Sequence, residues 1–163
     1  MKAIALISGG LDSILAAKVI QGQGIEVLPL HFRIPFCHKA KDSSGQQALV
    51  RDNLGLDLMS VDLEEEFLEV LKSPRYGFGS NMNPCIDCKI LMLSKAKSLM
   101  QELGADFVVT GEVLGQRPMS QHKQALSIIP RRAGLEGLVV RPLCAQVLPE
   151  TIPETKGWIL REK

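Results

Sequence analysis

The chain has 163 residues, 45% of them apolar, with 23% charged and a net charge of +1. That length fits one domain with an ample core, and the near balance of charge argues against a nucleic-acid binder working through overall electrostatics, so any RNA contact must come from a local patch or a partner. No apolar run approaches the length of a membrane span, and Met1-Lys2 leads straight into a strand-like segment, so the expectation is no signal peptide, no membrane and a cytoplasmic protein.

Residues 2–7 form a short, continuously apolar run, the pattern of a strand buried on both faces in a parallel sheet. It breaks into Ser8-Gly9-Gly10-Leu11-Asp12-Ser13, after which Leu11, Leu15, Ala16, Val19 and Ile20 predict a helical stripe that stops at Gly22 and Gly24. Residues 25–32 read as a second strand, with Pro29 implying an edge or a bulge. A loop over 33–41 holds Cys37 and His38, and Asp42-Ser43-Ser44 offers caps for a helix through Leu54, closed by Gly55. A third strand is expected over 56–63, and Glu64-Glu65-Glu66 opens a short acidic helix to about Leu71.

Residues 73–84, with Gly77, Gly79, Asn81, Asn83 and two prolines, predict a long functional loop. The strongest helix follows over 84–103, with Ile86, Ile90, Leu93, Met100 and Leu103 on one side and Gly104 as its stop. A fourth strand over 106–110, a polar linker, a helix and a short fifth strand over 137–140 complete the pattern. Alternating strands and helices predict an α/β fold: a doubly wound, mainly parallel five-stranded sheet with helices on both faces. Residues 1–145 are expected to form the nucleotide-binding domain, and 146–163 a C-terminal tail, read as the start of a further domain or the end of a minimal chain. The loops after strands one, two and four should converge at the carboxyl ends of the strands, where such sheets bind ligands.

The turn Ser8 to Ser13 has the makings of a phosphate cradle. Gly9 and Gly10 let the backbone approach a ligand with no Cβ in the way, Ser8 and Ser13 bring hydroxyls, and the helix starting near Leu11 points unpaired N–H groups at the turn. Asp12 would repel phosphate unless a divalent cation lay between, which argues for Mg²⁺ with a nucleotide. An ordinary capped βα turn is the plainer alternative. Farther on, Asn83-Pro84-Cys85-Ile86-Asp87-Cys88-Lys89 sets a cap and a first-turn proline ahead of two cysteines, and a helix N-terminus favours thiolates. In a reducing compartment this pair suggests redox, sulfur-transfer or cluster chemistry. The competing readings are half of a zinc site, for which no second Cys-x-x-Cys exists, or small semi-buried residues.

Ser-Gly-Gly-Leu-Asp-Ser resembles the pyrophosphatase loop of the PP-loop ATP pyrophosphatase superfamily, which splits ATP between the α and β phosphates and adenylates a substrate oxygen. It lacks the Lys of the Gly-x-x-x-x-Gly-Lys-Ser/Thr pattern. Asn-Pro-Cys-x-x-Cys resembles tRNA 2-thiouridylases, whose second cysteine is a catalytic thiol, a role that maps onto Cys88. Thr110-Gly111-Glu112-Val113-Leu114-Gly115-Gln116, with Ser120-Gln121 and Arg141-Pro142-Leu143, is similar to the adenylation domain of tRNA 4-thiouridine synthetases.

The resemblance implies ATP-dependent tRNA uridine thiolation: the uridine oxygen is adenylated, pyrophosphate leaves, and sulfur then displaces AMP. It implies Asp12, Cys85 and Cys88 as catalytic residues, and Ser8, Gly9, Gly10, Leu11, Asp12, Ser13, Thr110 and Gly111 as nucleotide ligands. The implied cofactors are ATP and Mg²⁺ on Asp12, with a [4Fe–4S] cluster on Cys85, Cys88 and Cys144 as a further option beside a packed Cys144. tRNA contacts are expected at Lys89, Gln116, Arg117, Lys123, Arg131 and Arg132, with Arg141 in the same basic set. His31, His38 and His122 show no metal-ligand spacing. The expected partners are tRNA, a persulfide carrier or sulfide as sulfur donor, and a second copy or another protein supplying RNA-binding surface. Two alternatives keep the fold: an amide- or nitrile-forming ligase acting on a small carboxylate, and a non-catalytic ATP-binding subunit of a larger RNA-modifying assembly.

Overall fold

The computed structural model describes residues 1–35, 43–79 and 83–161. Cys37, His38, Asp42 and Asn81 lie outside the described residues.

Five strands, β1 (Lys2–Leu6), β2 (Glu26–Arg33), β3 (Met59–Asp62), β4 (Phe107–Thr110) and β5 (Val139–Val140), form one sheet in the order β3-β2-β1-β4-β5. All four pairings are parallel, as the apolar β1 run required. Among the described residues six α-helices connect or follow them: α1 (Leu11–Gln21), α2 (Ser43–Leu54), α3 (Glu64–Lys72), α4 (Cys85–Leu103), α5 (Lys123–Arg132) and α6 (Ile152–Thr155).

β1 lies at the centre, so alternate residues feed two cores. Ala3, Ala5 and Ile7 pack with Ile14, Ala17 and Ile20 of α1 and with Val50 and Leu54 of α2. Ile4 and Leu6 pack on the opposite face with Leu93, Ala96 and Met100 of α4 and Ala125 and Ile129 of α5. The chain winds outward from β1 through β2 to β3, then crosses back to β4 and β5. The strand order therefore reverses between β1 and β4, opening the crevice of a doubly wound sheet at their carboxyl ends. Leu6 pairs with Thr110 there, so the Ser8 loop and the Thr110 turn leave the sheet side by side. No helix among the described residues is long and apolar enough to cross a membrane.

Three expectations need correction. The buried face of α1 is Ser13, Ile14, Ala16, Ala17 and Ile20, whereas Leu11 and Leu15 are 78% and 45% exposed. Packing explains the rotation: Ile14, Ala16, Ala17 and Ile20 fill the core, and Ser13, on that same face, is tied into the preceding loop, which leaves Leu11 and Leu15 outward. Pro29 is not on an edge strand; it pairs with Ala5 in an unbroken register within the interior strand β2. Leu30 gives its carbonyl to Ile7 N–H on the β1 side, so the absent Pro29 N–H faces the β3 side, where pairing starts only at Leu30. The third correction is at α4, whose cap is Pro84 itself, with no side-chain cap bond from Asn83.

After β5 a 3₁₀ segment, Pro142–Val147, leads to α6, whose Thr151 and Glu154 form a reciprocal capping box. Ile159 is buried in the α1-side core and Trp158 stacks on Phe107 of β4, with ring centroids 6.5 Å apart.

Candidate functional site

The loop between β1 and α1 is closed by its own serines. Ser13 Oγ accepts from Ser8 N–H at 3.2 Å and donates to the Gly10 carbonyl at 2.8 Å, with Ser8 Oγ 3.4 Å away. Gly9 adopts a φ of 78°, a left-handed conformation, and an ideal Cβ there would lie 2.8 Å from Gln46 Nε2 of α2. Gly10 caps α1 with no side-chain hydrogen bond. The first-turn N–H groups thus have no side-chain cap, which leaves the dipole end of the helix open to an anion.

The opposite wall is the turn after β4. A Cβ on Gly111 would lie 2.6 Å from both the Asp12 carbonyl carbon and the Ser13 nitrogen, so only glycine lets β4 approach the first peptide units of α1 this closely. Thr110, Gly111 and Gln121 line one cleft with Ser8, Gly10 and Ser13. Gln116 bridges the walls, its Nε2 donating to Asp12 Oδ2 at 3.1 Å. All the nucleotide ligands read from sequence lie on this loop, on the first turn of α1 or on the Thr110 turn. Asp12 also lines the cleft, so its carboxylate suits a divalent cation beside phosphates.

Behind the turn lies a buried charge cluster that sequence reasoning did not single out. The Glu112 carboxylate accepts from Arg141 Nε at 3.0 Å and from Thr110 Oγ1 at 3.2 Å, and meets Lys89 Nζ at 3.4 Å. Burial pushes this carboxyl up, but the charges of Lys89 and Arg141 and the hydrogen bonds from Arg141 and Thr110 outweigh it and hold Glu112 below the ordinary carboxylate value. The side chain of Arg141 is paired with Glu112 through Nε and is 7% exposed, which takes it out of the basic surface set. A glutamate ending a buried strand requires a cation, so the cluster had a signal, but which cation could not be known from spacing.

α4 brings the thiols to the same region. Cys85 and Cys88 occupy its first turns, as expected, and Cys88 Sγ lies 4.0 Å from Met92 Sδ, a residue lining the cleft. Asp87 between them accepts the main-chain N–H groups of Arg75 and Tyr76 at 3.1 and 2.9 Å, tying the preceding loop to the helix. Cys144 stands apart from the pair in its bonding: its thiol donates to the Glu112 carbonyl at 3.3 Å. Among the described residues no three His, Cys, Asp or Glu side chains gather as a metal site. His31 is buried and its Nδ1–H donates to the Ile7 carbonyl at 2.8 Å, while His122 caps α5 by accepting from Ala125 N–H.

The residues read as RNA contacts do not form one patch. Lys89, Gln116 and Arg117 line the cleft. Lys123 opens α5 while Arg131 and Arg132 end it, about 13 Å along the axis at the rise of an α-helix, and Arg131 is paired with Glu136 at 3.1 Å.

Comparison with known proteins gives a consistent set of likenesses. A family model described as thiamine biosynthesis protein (ThiI) matches residues 1–152. A "Probable tRNA sulfurtransferase" from Thermococcus kodakarensis is 30% identical over 146 residues, covering 87% of this chain and 36% of that protein. The tRNA-specific 2-thiouridylase MnmA of Helicobacter hepaticus is 34% identical over 120 residues, covering 68% of this chain and 34% of the relative. Among solved structures, a 4-thiouridine synthetase in complex with RNA and bound ATP superposes with a TM-score of 0.67 at 26% identity, over 88% of this chain and 36% of that one. The chain spans about a third of the length of these relatives.

Proposed function

The chain belongs to the ThiI family, and from that premise we propose that it carries out ATP-dependent thiolation of a tRNA uridine. The observation that carries the reading is the convergence of two devices at one crevice: the serine- and glycine-built phosphate loop on β1–α1, and the dithiol end of α4, whose Lys89 and Met92 line the same cleft.

In this reading the N–H groups of the first turn of α1 and the hydroxyl of Ser8 bind the phosphates of ATP, while Ser13, whose hydroxyl is donated to the Gly10 carbonyl, holds the loop in shape around them. Asp12 would hold Mg²⁺, which when bound neutralises phosphate charge. The uridine carbonyl oxygen attacks the α phosphorus, pyrophosphate leaves, and the base carbon becomes activated by its AMP group. The uridine must leave its stack to enter the crevice. Sulfur carried on Cys88 as a persulfide then displaces AMP. Cys85, three residues earlier on the same helix, takes the disulfide with Cys88 as the sulfur departs, so each turnover consumes a thiol reductant. Gly111 and Gln116 keep the two walls in register during this sequence.

The test supplies ATP, a sulfur donor, reductant and unmodified tRNA, and measures thiouridine, AMP and pyrophosphate together. Release of ADP, or AMP formation with no dependence on tRNA, would overturn the proposal.

A further inference from the structure

Lys89 stands among the expected tRNA contacts, yet its surroundings are those of the nucleotide cleft. We propose that Lys89 is the cation that meets the nucleotide phosphates, with Glu112 as the positioning residue that holds it there. The proposal rests on the reading of this cleft as an ATP site.

Glu112 carries one negative charge and contacts two positive ones, Arg141 at 3.0 Å and Lys89 at 3.4 Å, so the buried cluster has an excess of one positive charge. The Arg141 contact, on one carboxylate oxygen, is the shorter and the more enclosed, both side chains being 7% exposed, while Lys89 meets the other oxygen from the cleft side. The ammonium has three donors, and the contact with Glu112 uses one, leaving two to meet another acceptor. The Lys89 ammonium is half-buried at the cleft wall, so these donors are available to an anion that enters the cleft.

Position supplies the rest. Lys89 lines the cleft together with Ser8, Gly10 and Ser13, the loop whose open N–H groups suit phosphate. Arg117 is the other cationic side chain lining it, and that residue is exposed. The Lys89 side chain is only 30% exposed, which suits a small anion entering the cleft better than the phosphate backbone of an RNA lying across the surface. Glu112 sits directly after Gly111, the residue that must pass against α1, so the carboxylate is fixed relative to the cradle and fixes the ammonium in turn.

The test compares ATP with adenosine as ligands of the full chain, by calorimetry for ATP and ligand-observed NMR for adenosine. Lys89→Met, which keeps the apolar stem, should weaken ATP about 10- to 100-fold, the range of a charge-assisted hydrogen bond, while leaving adenosine binding and nucleotide-free tRNA binding unchanged. Lys89→Arg should recover most of the ATP affinity. Glu112→Gln should weaken ATP and not adenosine, whereas a purely structural role would weaken both alike. Unchanged ATP affinity in Lys89→Met, equal losses for ATP and adenosine, or a loss confined to tRNA would each overturn the assignment. Unsubstituted protein that binds ATP but forms no thiouridine would overturn the proposed function and leave the Lys89 result standing; no ATP binding at all would overturn both.

Discussion

Gly111→Ala isolates the closest backbone approach in the cleft. The added Cβ would lie 2.6 Å from the Asp12 carbonyl carbon and from the Ser13 nitrogen, where ordinary contact begins near 3.4 Å. The obstacle is main chain on both sides, in the first turn of a helix that is itself packed on the sheet, so no side-chain rotation relieves it. The walls must part by roughly 0.8 Å, and overpacking of this kind costs about 1–3 kcal/mol. In a domain of this size that corresponds to a fall in Tm of about 2–12 °C. The same displacement separates the phosphate cradle from the Thr110 turn, and misplacement near 1 Å can cost about 100-fold in a positioned reaction, so tRNA-dependent pyrophosphate release should fall further than stability does. Gly10→Ala is the stability control: its Cβ would meet only Ser8 Oγ at 3.5 Å, so the melting temperature should hold within about 0.5 kcal/mol of equivalent change. Thermal unfolding of both variants, with pyrophosphate release measured well below the transition, decides the matter. A Gly111→Ala protein with unchanged Tm and activity would refute the close-approach argument.

Glu112 should make acid stability pH-dependent. Its carboxyl is lowered in the folded state from an ordinary value of 4.5, so its contribution is complete above that pH and is lost as the pH falls through the lowered folded value. Glu112→Gln should lose about 3–5 kcal/mol at pH 7 by stranding Arg141, and should flatten the acid limb of the urea midpoint measured from pH 7 to pH 3. Cys88→Ser should abolish thiouridine formation while tRNA-dependent AMP and pyrophosphate release persists in a single turnover; Cys144→Ser, which keeps a donor toward the Glu112 carbonyl, should retain thiolation. Ile159→Ala should destabilise the domain by about 2–5 kcal/mol in urea unfolding, because this side chain is 4% exposed within the core shared with α1.

The sheet was legible because its signals are local. Residues 2–7 announce burial on both faces, Gly55 and Gly104 stop helices at the predicted places with φ of 68° and 64°, and the strand-turn-helix order around Ser8 follows from composition alone. The rotation of α1 was not legible, because Leu11 and Leu15 satisfy a helical stripe as well as Ile14 and Ala17 do. Packing decided between them: the face with Ile14, Ala16, Ala17 and Ile20 fills the core, and Ser13, on that same face, is tied into the loop by its hydrogen bond at 2.8 Å. Pro29 misled for a related reason. A proline excludes a ladder bond only on the side its nitrogen faces, and which side lacks a partner depends on where β3 begins.

The charge cluster marks the harder limit. Glu112, Lys89 and Arg141 come from the end of β4, the first turns of α4 and the end of β5, and their sequence separations follow no helical or strand period. Spacing rules detect groups carried by one element, which is why Cys85 and Cys88 stood out and this trio did not. What does follow from sequence is a constraint: a carboxylate bordered by Gly111 at the end of a fully buried strand needs a cation. Arg141 meets one oxygen of that carboxylate and Lys89 the other, so two cations face one anion. The unbalanced positive charge lies on the side that opens to the cleft, at Lys89 beside the uncapped N-terminus of α1, where an anion that comes and goes would balance it.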